Sequence, residues 1–341
     1  MKVVSGCRQR VKTRFVLFSA TVLLFTVCCS QSKYGEIVDY RKGMSVPSWQ
    51  SNEYLDGRVV ESMLVLQTTG ADHIAVVPTW YQASAQSDSI YPRENTPLDS
   101  AVIHIANQAK SLGFGVMLKP HVDVEDGTFR GDIAPSDISS WFSSYDAFIL
   151  HYASIAQAAD VELFCIGTEL ASLSSRPEWL DIVNDVREIY DGMIVYAANW
   201  DEYTSVNFWT HLDFVGIDAY FPLACDREAT IEEYLQNFEL WLFQIDNFQS
   251  SVSKDIIITE VGFRSVRGCA VSPYEWQSEG IMDEESQADA YRTVLATLQR
   301  KPWLSGIFFW QWDPILSEDS LGYTPYNKQA EDVLREFWGG E

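Results

Sequence analysis

The chain has 341 residues, 47% of them hydrophobic and 13% aromatic, with a formal net charge of -24. That is enough apolar material for one large core without a second domain. So acidic a surface repels nucleic acid and anionic membranes, which leaves a neutral substrate as the natural expectation.

Lys2, Arg8, Arg10, Lys12 and Arg14 precede an uncharged run from Phe15 to Cys29, which has the form of a secretory signal and is too short to span a bilayer. Residues 1–29 are therefore expected to be a signal peptide of either the plainly cleaved or the lipoprotein type, the latter through Cys28-Cys29-Ser30; an uncleaved anchor is the remaining alternative. A single secreted or surface-anchored domain over 30–341 would follow. Removing residues 1–28 leaves 19 Lys+Arg against 48 Asp+Glu, a net charge of -29. Beyond residues 1–29 only Cys165, Cys225 and Cys269 remain, too few for a disulfide scaffold and wrongly spaced for zinc.

Strand and helix patterns then alternate without a linker. Tyr40 to Val46 reads as the first strand, Glu53 to Thr69 as a helix closed by Gly70, and His73 to Pro78 as the second strand, followed by Thr79-Trp-Tyr-Gln82. Thr96 as cap, Pro97 in the first turn and Asp99 three residues after the cap open a helix that Gly113 ends. Gly115 to Pro120 is the third strand, leading into a polar loop from His121 to Arg130. Ile138, Trp141, Tyr145, Phe148, Tyr152, Ile155 and Ala159 recur at alternating spacings of 3 and 4, which predicts a long amphipathic helix. Val161 to Ile166 is apolar enough for a strand covered on both faces, and it runs into Thr168-Glu169. Pro177 to Tyr190 is helical, Met193 to Ala198 the fifth strand, Asp213 to Tyr220 the sixth, Thr230 to Phe248 a helix and Ile256 to Thr259 the seventh strand, ending at Glu260. Glu284 to Arg300 is a helix, Gly306 to Trp310 the eighth strand, and Glu331 to Trp338 the closing helix. Eight strands alternating with helices predict the α/β class and a single (β/α)8 TIM barrel.

Two apolar strands that each end in Thr-Glu are harder to dismiss than one. Glu169 and Glu260 lie 91 residues apart, about three steps of roughly 30 residues, the size of a strand-helix-strand unit. Both would face the C-terminal mouth of the barrel, where catalytic groups of this fold gather. The same mouth would hold Trp80, Tyr81, His121, Asp123, Asn199, Trp200, Asp218, Tyr220, Trp310 and Trp312. Flat aromatic faces stack on the C–H faces of sugars while Asn, Asp, His and Glu bond their hydroxyls, and two central carboxyl groups are what glycoside hydrolysis needs. Each tryptophan is as readily a core residue as a sugar platform. His73, His104 and His151 fall on strand or helix bodies and read as structural, and no metal-ligand pairing, phosphate loop or nucleophile elbow is present. No cofactor is expected, and a monomer is.

Taken together, Pro78-Thr-Trp-Tyr-Gln82, Lys119-Pro-His-Val-Asp123, Ile166-Gly-Thr-Glu-Leu170, Ala198-Asn-Trp200, Gly216-Ile-Asp-Ala-Tyr-Phe-Pro222, Ile258-Thr-Glu-Val-Gly-Phe263 and Phe309-Trp-Gln-Trp312 resemble glycoside hydrolase family 113, a clan A barrel family associated with β-mannanase activity. The resemblance implies a retaining enzyme with Glu169 as acid/base, Glu260 as nucleophile and Tyr220 holding the nucleophile. Many clan relatives have Asn just before the acid/base where this chain has Thr168, so the group that meets the sugar 2-hydroxyl stays open. The expected partner is a neutral polysaccharide or oligosaccharide of mannan type; another clan A specificity, a β-glucanase or an exo-acting β-mannosidase, and a catalytically silent carbohydrate-binding barrel are the alternatives. Membrane contact is expected only through a lipid anchor. Finally, Cys225 and Cys269 fall in the loops after the sixth and seventh strands, neighbours at a barrel mouth, so a disulfide between them is expected in an oxidising compartment, with Cys165 a free thiol.

Overall fold

A computed structural model of the chain describes residues 39–277, 279–317 and 321–339, so the expected signal peptide over 1–29 lies outside the described residues. Eight parallel strands close a barrel: β1 (Arg41–Pro47), β2 (His73–Val77), β4 (Gly115–Leu118), β6 (Leu163–Thr168), β7 (Met193–Asn199), β8 (Phe214–Asp218), β9 (Ile256–Val261) and β10 (Leu304–Phe309). Their order around the ring is β1-β10-β9-β8-β7-β6-β4-β2, with β2 pairing back to β1. Each of the eight strands inferred from the sequence is present, with no end shifted by more than two residues.

Helices α1 (Arg58–Gln67), α2 (Asp99–Ser111), α3 (Ile138–Ala158), α4 (Trp179–Ile189), α5 (Ile231–Val252), α6 (Glu284–Leu298) and α7 (Gln329–Trp338) follow the barrel strands, except that β7 is followed by a single 3-10 turn at Trp209–His211. The 3,4 spacing of α3 buries Trp141, Tyr145, Phe148, Tyr152 and Ile155 against the barrel. Asp137 caps that helix by accepting from the Ser140 backbone N–H, and Thr230 with Glu233 forms a capping box on α5. Thr96 does not cap α2. Its hydroxyl donates to the Thr79 carbonyl and accepts from the Arg93 N–H, tying two loops instead. The stretch from Glu53 likewise divides into a 3-10 turn, Glu53–Leu55, and α1.

Two stretches that read as loops are strands. β3 (Thr79–Gln82) and β5 (His121–Val124) pair in parallel as a separate two-stranded sheet, Thr79 opposite His121 and Tyr81 opposite Asp123. They extend β2 and β4 past Pro78 and Pro120, and proline, having no N–H to give a ladder, interrupts each barrel strand there.

The barrel lumen is filled by Ala75, Met117, Leu163, Cys165, Val195, Ala197, Ile257 and Phe308, while a larger apolar layer lies between strands and helices. Gly43 makes room for Phe308: a Cβ there would come within 2.3 Å of the ring. At the opposite end from the mouth, Gly115 does the same for His73, whose ring lies across it towards Glu162. His73 Nδ1 bonds the Asp72 carboxylate, Nε2 lies 3.3 Å from Glu162 Oε2, and Arg41 donates to Glu162 Oε1 at 2.8 Å. Burial pulls the His73 pKa down, but the bonds to Asp72 and Glu162 outweigh it and raise the pKa above its ordinary 6.5. Glu162, bonded by His73 and Arg41, is held down at about 2.

These two shifts bound a pH window. A raised histidine stabilises below its unfolded pKa of 6.5 and loses that contribution as pH rises through the folded value. A depressed carboxylate stabilises above its unfolded 4.5 and loses it as pH falls towards about 2. His73→Gln should therefore lower stability by about 1 kcal/mol, given the partial exposure of Glu162. In thermal melts the gap between variant and parent should be widest between about pH 4.5 and 6.5 and shrink towards pH 8–9. A gap that does not change with pH would show that the ring acts through packing alone.

Candidate active site

Lys119 stands directly after β4, between its last apolar residue and Pro120, and is fully buried. Its ammonium donates to Glu260 Oε1, lies 3.2 Å from Asp218 Oδ2 and 3.2 Å from His121 Nε2. One cation from β4 therefore joins carboxylates from β8 and β9 across the lumen. Asp218 closes β8 opposite Glu260, and its other oxygen accepts from the Thr259 hydroxyl at 2.7 Å. Tyr220, two residues beyond β8, donates its hydroxyl to Glu260 Oε2 at 2.7 Å. Both oxygens of Glu260 are thus held.

Glu169 follows β6 with φ 53°, the left-handed region, and its N–H bonds the Ala197 carbonyl of β7 at 2.8 Å. A non-glycine residue seldom adopts that backbone. There it turns the chain out of the strand at the mouth, where 11% of the Glu169 side chain stays exposed. Arg130, from the loop after β5, donates to His121 Nδ1 at 3.0 Å and Asp123 Oδ1 at 2.5 Å, and lies 3.6 Å from Glu169 Oε2. Nδ1 of His121 thus faces the Arg130 guanidinium, and Nε2 faces both the Lys119 ammonium and Glu260 Oε1, the latter 3.4 Å away. Trp310, just after β10, stacks on His121 with planes 9° apart and centroids 6.0 Å apart, and meets Trp49 edge-on at 6.4 Å.

The surroundings drive the two glutamates apart. Burial alone would raise the Glu260 pKa, but the Lys119 charge and the hydrogen bond from His121 overcome it and hold the carboxyl well below its ordinary range. Glu169 is pushed well above that range, first by burial and then by the Asp218 charge, with Arg130 opposing. Asp218 is also raised, by burial and by Glu260, with Lys119 opposing. Burial, with Arg130 and Lys119 nearby, lowers His121 to about 3 and keeps it neutral. Two carboxyl groups whose pKa values are pushed in opposite directions are what general-acid and nucleophilic chemistry require.

Asn199, at the end of β7, is 9% exposed and its Oδ1 has no protein hydrogen-bond partner. That oxygen is itself buried, so it stands as an unsatisfied acceptor beneath the mouth. Trp200 stacks on Tyr274 with planes 11° apart and meets Trp241 and Phe221 edge-on, forming an aromatic rim. Tyr81 and Asp123 sit side by side on the small sheet; Asn95 donates to the Tyr81 hydroxyl, and Asp123 reaches the centre through Arg130.

Three expectations need correction. Trp80 packs on Phe148, His151 and Tyr152, because β3 turns it outward under α3. Trp312 is wholly buried; its backbone N–H bonds the Ser45 carbonyl and its indole donates to Ser62, which fixes it in the core behind the mouth. The Cys225–Cys269 bridge is not formed: the loops touch, with the Leu223 and Ala224 N–H groups both bonding the Ala270 carbonyl, but Cys269 points inward as a free thiol that burial pushes up to about 12 while Cys225 lies on the surface. Cys165 is a buried free thiol in β6. Lys119 and Arg130 were not singled out from the sequence. A lysine ending an otherwise apolar strand is the one signal that could have exposed the first.

A family model described as Glycoside Hydrolase Family 113 matches residues 47–328. Among solved structures, the chain is similar to a family 113 β-1,4-mannanase solved as a complex, with 25% identity and a TM-score of 0.82 over 89% of this chain and 100% of that one. The family 113 β-mannanase AaManA of Alicyclobacillus acidocaldarius, in complex with ManMIm, shares the fold at 24% identity and a TM-score of 0.81, over 89% and 98% of the two chains. A β-glucuronidase of Faecalibacterium prausnitzii shares the barrel at 15% identity and a TM-score of 0.60, over 89% of this chain and 49% of that one. No match was found among curated proteins.

Lys119→Met should leave two buried carboxylates without their cation and cost about 3–5 kcal/mol at neutral pH. The Glu260 pKa is depressed, so its ion pair stabilises above the unfolded value of 4.5 and fades as pH falls below it. Melts of parent and variant should accordingly converge in acid. A penalty that stays constant through the acid range would show that Lys119 contributes packing rather than charge.

Proposed function

The chain belongs to glycoside hydrolase family 113, and from that premise we propose that it cleaves β-1,4-mannosidic bonds in mannan or manno-oligosaccharides by double displacement, with retention at the anomeric carbon. What supports the mechanism above all is the placing of two carboxyl groups at the ends of β6 and β9 in surroundings that push the Glu169 pKa up and hold the Glu260 pKa down. In the first step a Glu260 oxygen attacks the anomeric carbon as the glycosidic C–O bond breaks, and the Glu169 proton passes to the leaving oxygen. In the second, water attacks the same carbon and gives its proton to Glu169 as the bond to Glu260 breaks, so both carboxyl groups return to their starting state. Lys119, His121 and Tyr220 fix Glu260 on both oxygens, which favours attack from one position over activation of a mobile water. Trp310 forms the floor under the sugar whose bond is cut.

Mannan as substrate is supported by the β-1,4-mannanases among the similar structures and by the acidic surface, which suits a neutral polymer. The enzyme acts outside the cell, either released or held by a lipid at its N-terminus. Incubation with a panel of β-1,4-linked mannans and glucans, with proton NMR of the first product formed, tests both substrate and stereochemistry: a glucan preference would reject the mannan reading, and inverted first product would reject double displacement.

Glu260→Ala should lower turnover by about 10⁴-fold or more, and azide should restore part of it by attacking the sugar from the opposite face, giving a glycosyl azide. Glu169→Ala should be far milder on an aryl glycoside than on polysaccharide, since a good leaving group needs little protonation. Retention of most activity on polysaccharide by both variants would end the assignment.

A further inference from the structure

Formation of a sugar ester on Glu260 would take one negative charge out of a buried cluster. Lys119 and Asp218 have no exposed side-chain surface, and Glu260 has 5%. The Lys119 ammonium donates to Glu260 Oε1 and lies 3.2 Å from Asp218 Oδ2, so one buried cation serves two carboxyl groups. Once Glu260 is an ester, it no longer balances that cation. We propose that Asp218 takes over this role, carrying a proton while Glu260 is free and releasing it when Glu260 is esterified, so that Lys119 faces one anion in both states; this rests on the double displacement proposed above.

The bonding of Asp218 suits both of its forms. Oδ1 lies 2.7 Å from the Thr259 hydroxyl. A hydroxyl can donate to a carboxylate or accept from a carboxylic acid, so Thr259 serves either form without any side chain moving. Oδ2 faces the Lys119 ammonium in both. The register of β8 and β9 sets Asp218 opposite Glu260, so the two groups that would alternate as partner of the cation are neighbours across one ladder.

The surrounding charges give the direction of the change. Lys119 acts on Asp218 from the end of β4, Glu260 from β9, and Glu169 and the Cys165 thiol from β6. His121 Nε2 lies 3.2 Å from the ammonium, and Tyr220, on the same segment as Asp218, is committed to Glu260. Burial and then the Glu260 charge raise the Asp218 pKa, while Lys119 opposes. Esterification deletes the Glu260 charge and leaves Lys119 in place, so the Asp218 pKa falls. The Glu169 carboxylate left by the first step works against that fall, but Arg130 stands 3.6 Å from it, whereas Lys119 is 3.2 Å from Asp218. The Asp218 proton passes to water or buffer as the ester forms and is taken back as the ester is hydrolysed, so each turnover closes with no net change.

The test traps the ester with a 2-deoxy-2-fluoro-β-mannosyl fluoride, or the matching fluoro sugar if another glycan is preferred, and titrates carboxyl-13C-aspartate signals of free and trapped enzyme by NMR. Asp218→Asn identifies the Asp218 signal by its loss. Its midpoint should fall by at least about one pH unit on trapping, a tenfold change in proton affinity. In Asp218→Asn, which cannot ionise, the unbalanced cation beside the ester should slow ester formation by about tenfold or more and speed ester hydrolysis, because Glu260 is drawn back to the carboxylate. A midpoint that stays or rises on trapping, or a variant in which both steps slow alike, would overturn the proposal. Should the variant not fold, the parent decides alone: no aspartate signal with a raised midpoint moving down on trapping has the same meaning. Trapping confirmed on Glu260 by mass spectrometry with an unmoved Asp218 signal would remove this proposal and leave double displacement standing. Cleavage of glycan with inversion and no ester on Glu260 would remove both.

Discussion

A single buried cation organises the mouth of this barrel. Lys119 has no exposed surface and lies between carboxylates contributed by two other strands. Without it, Asp218 and Glu260 would be like charges in a dry cavity, and one would have to take up a proton. With it, Glu260 stays ionised while Asp218 is raised. Glu169, reached by Arg130 only at 3.6 Å, is left to the effects of burial and neighbouring negative charge. The opposite pKa shifts of the two glutamates therefore follow from where two cations are placed.

Closure of the barrel makes that placement possible. Lys119 and Glu260 are 141 residues apart, and only a ring brings the end of β4 within reach of β9. The prolines at 78 and 120 then lift β3 and β5 out of the barrel ladder, and β5 sets His121 and Asp123 where Arg130 can bond both. That interruption converts two barrel strands into a scaffold for the histidine that meets Glu260. The Trp310 ring covers this histidine from the β10 side.

The barrel and its paired glutamates were legible because their signals are local: an apolar strand, a turn residue and a carboxylate at the strand end. Lys119 and Arg130 were not, since what makes them matter is charge brought from distant strands, which no spacing encodes. The tryptophans show the same limit. Trp310 and Trp312 look alike two residues apart, yet the N–H of Trp312 pairs with Ser45 and its indole with Ser62, carrying it into the core. Trp80 is likewise sent under α3 by the small sheet that the two prolines create. For Cys225 and Cys269, loop adjacency was foreseeable from barrel topology, whereas the direction of each sulfur depends on packing around Cys269.

The left-handed backbone at Glu169 has a bearing on how such an enzyme changes over generations. A side chain other than glycine in that conformation costs of order 1 kcal/mol, and here the residue that carries the cost is also a carboxyl group kept in an unfavourable, partly dry setting. Folding would be served better by glycine or asparagine at this point. In a lineage released from the need to cut sugar chains, nothing in the fold would oppose replacing this glutamate by glycine or asparagine.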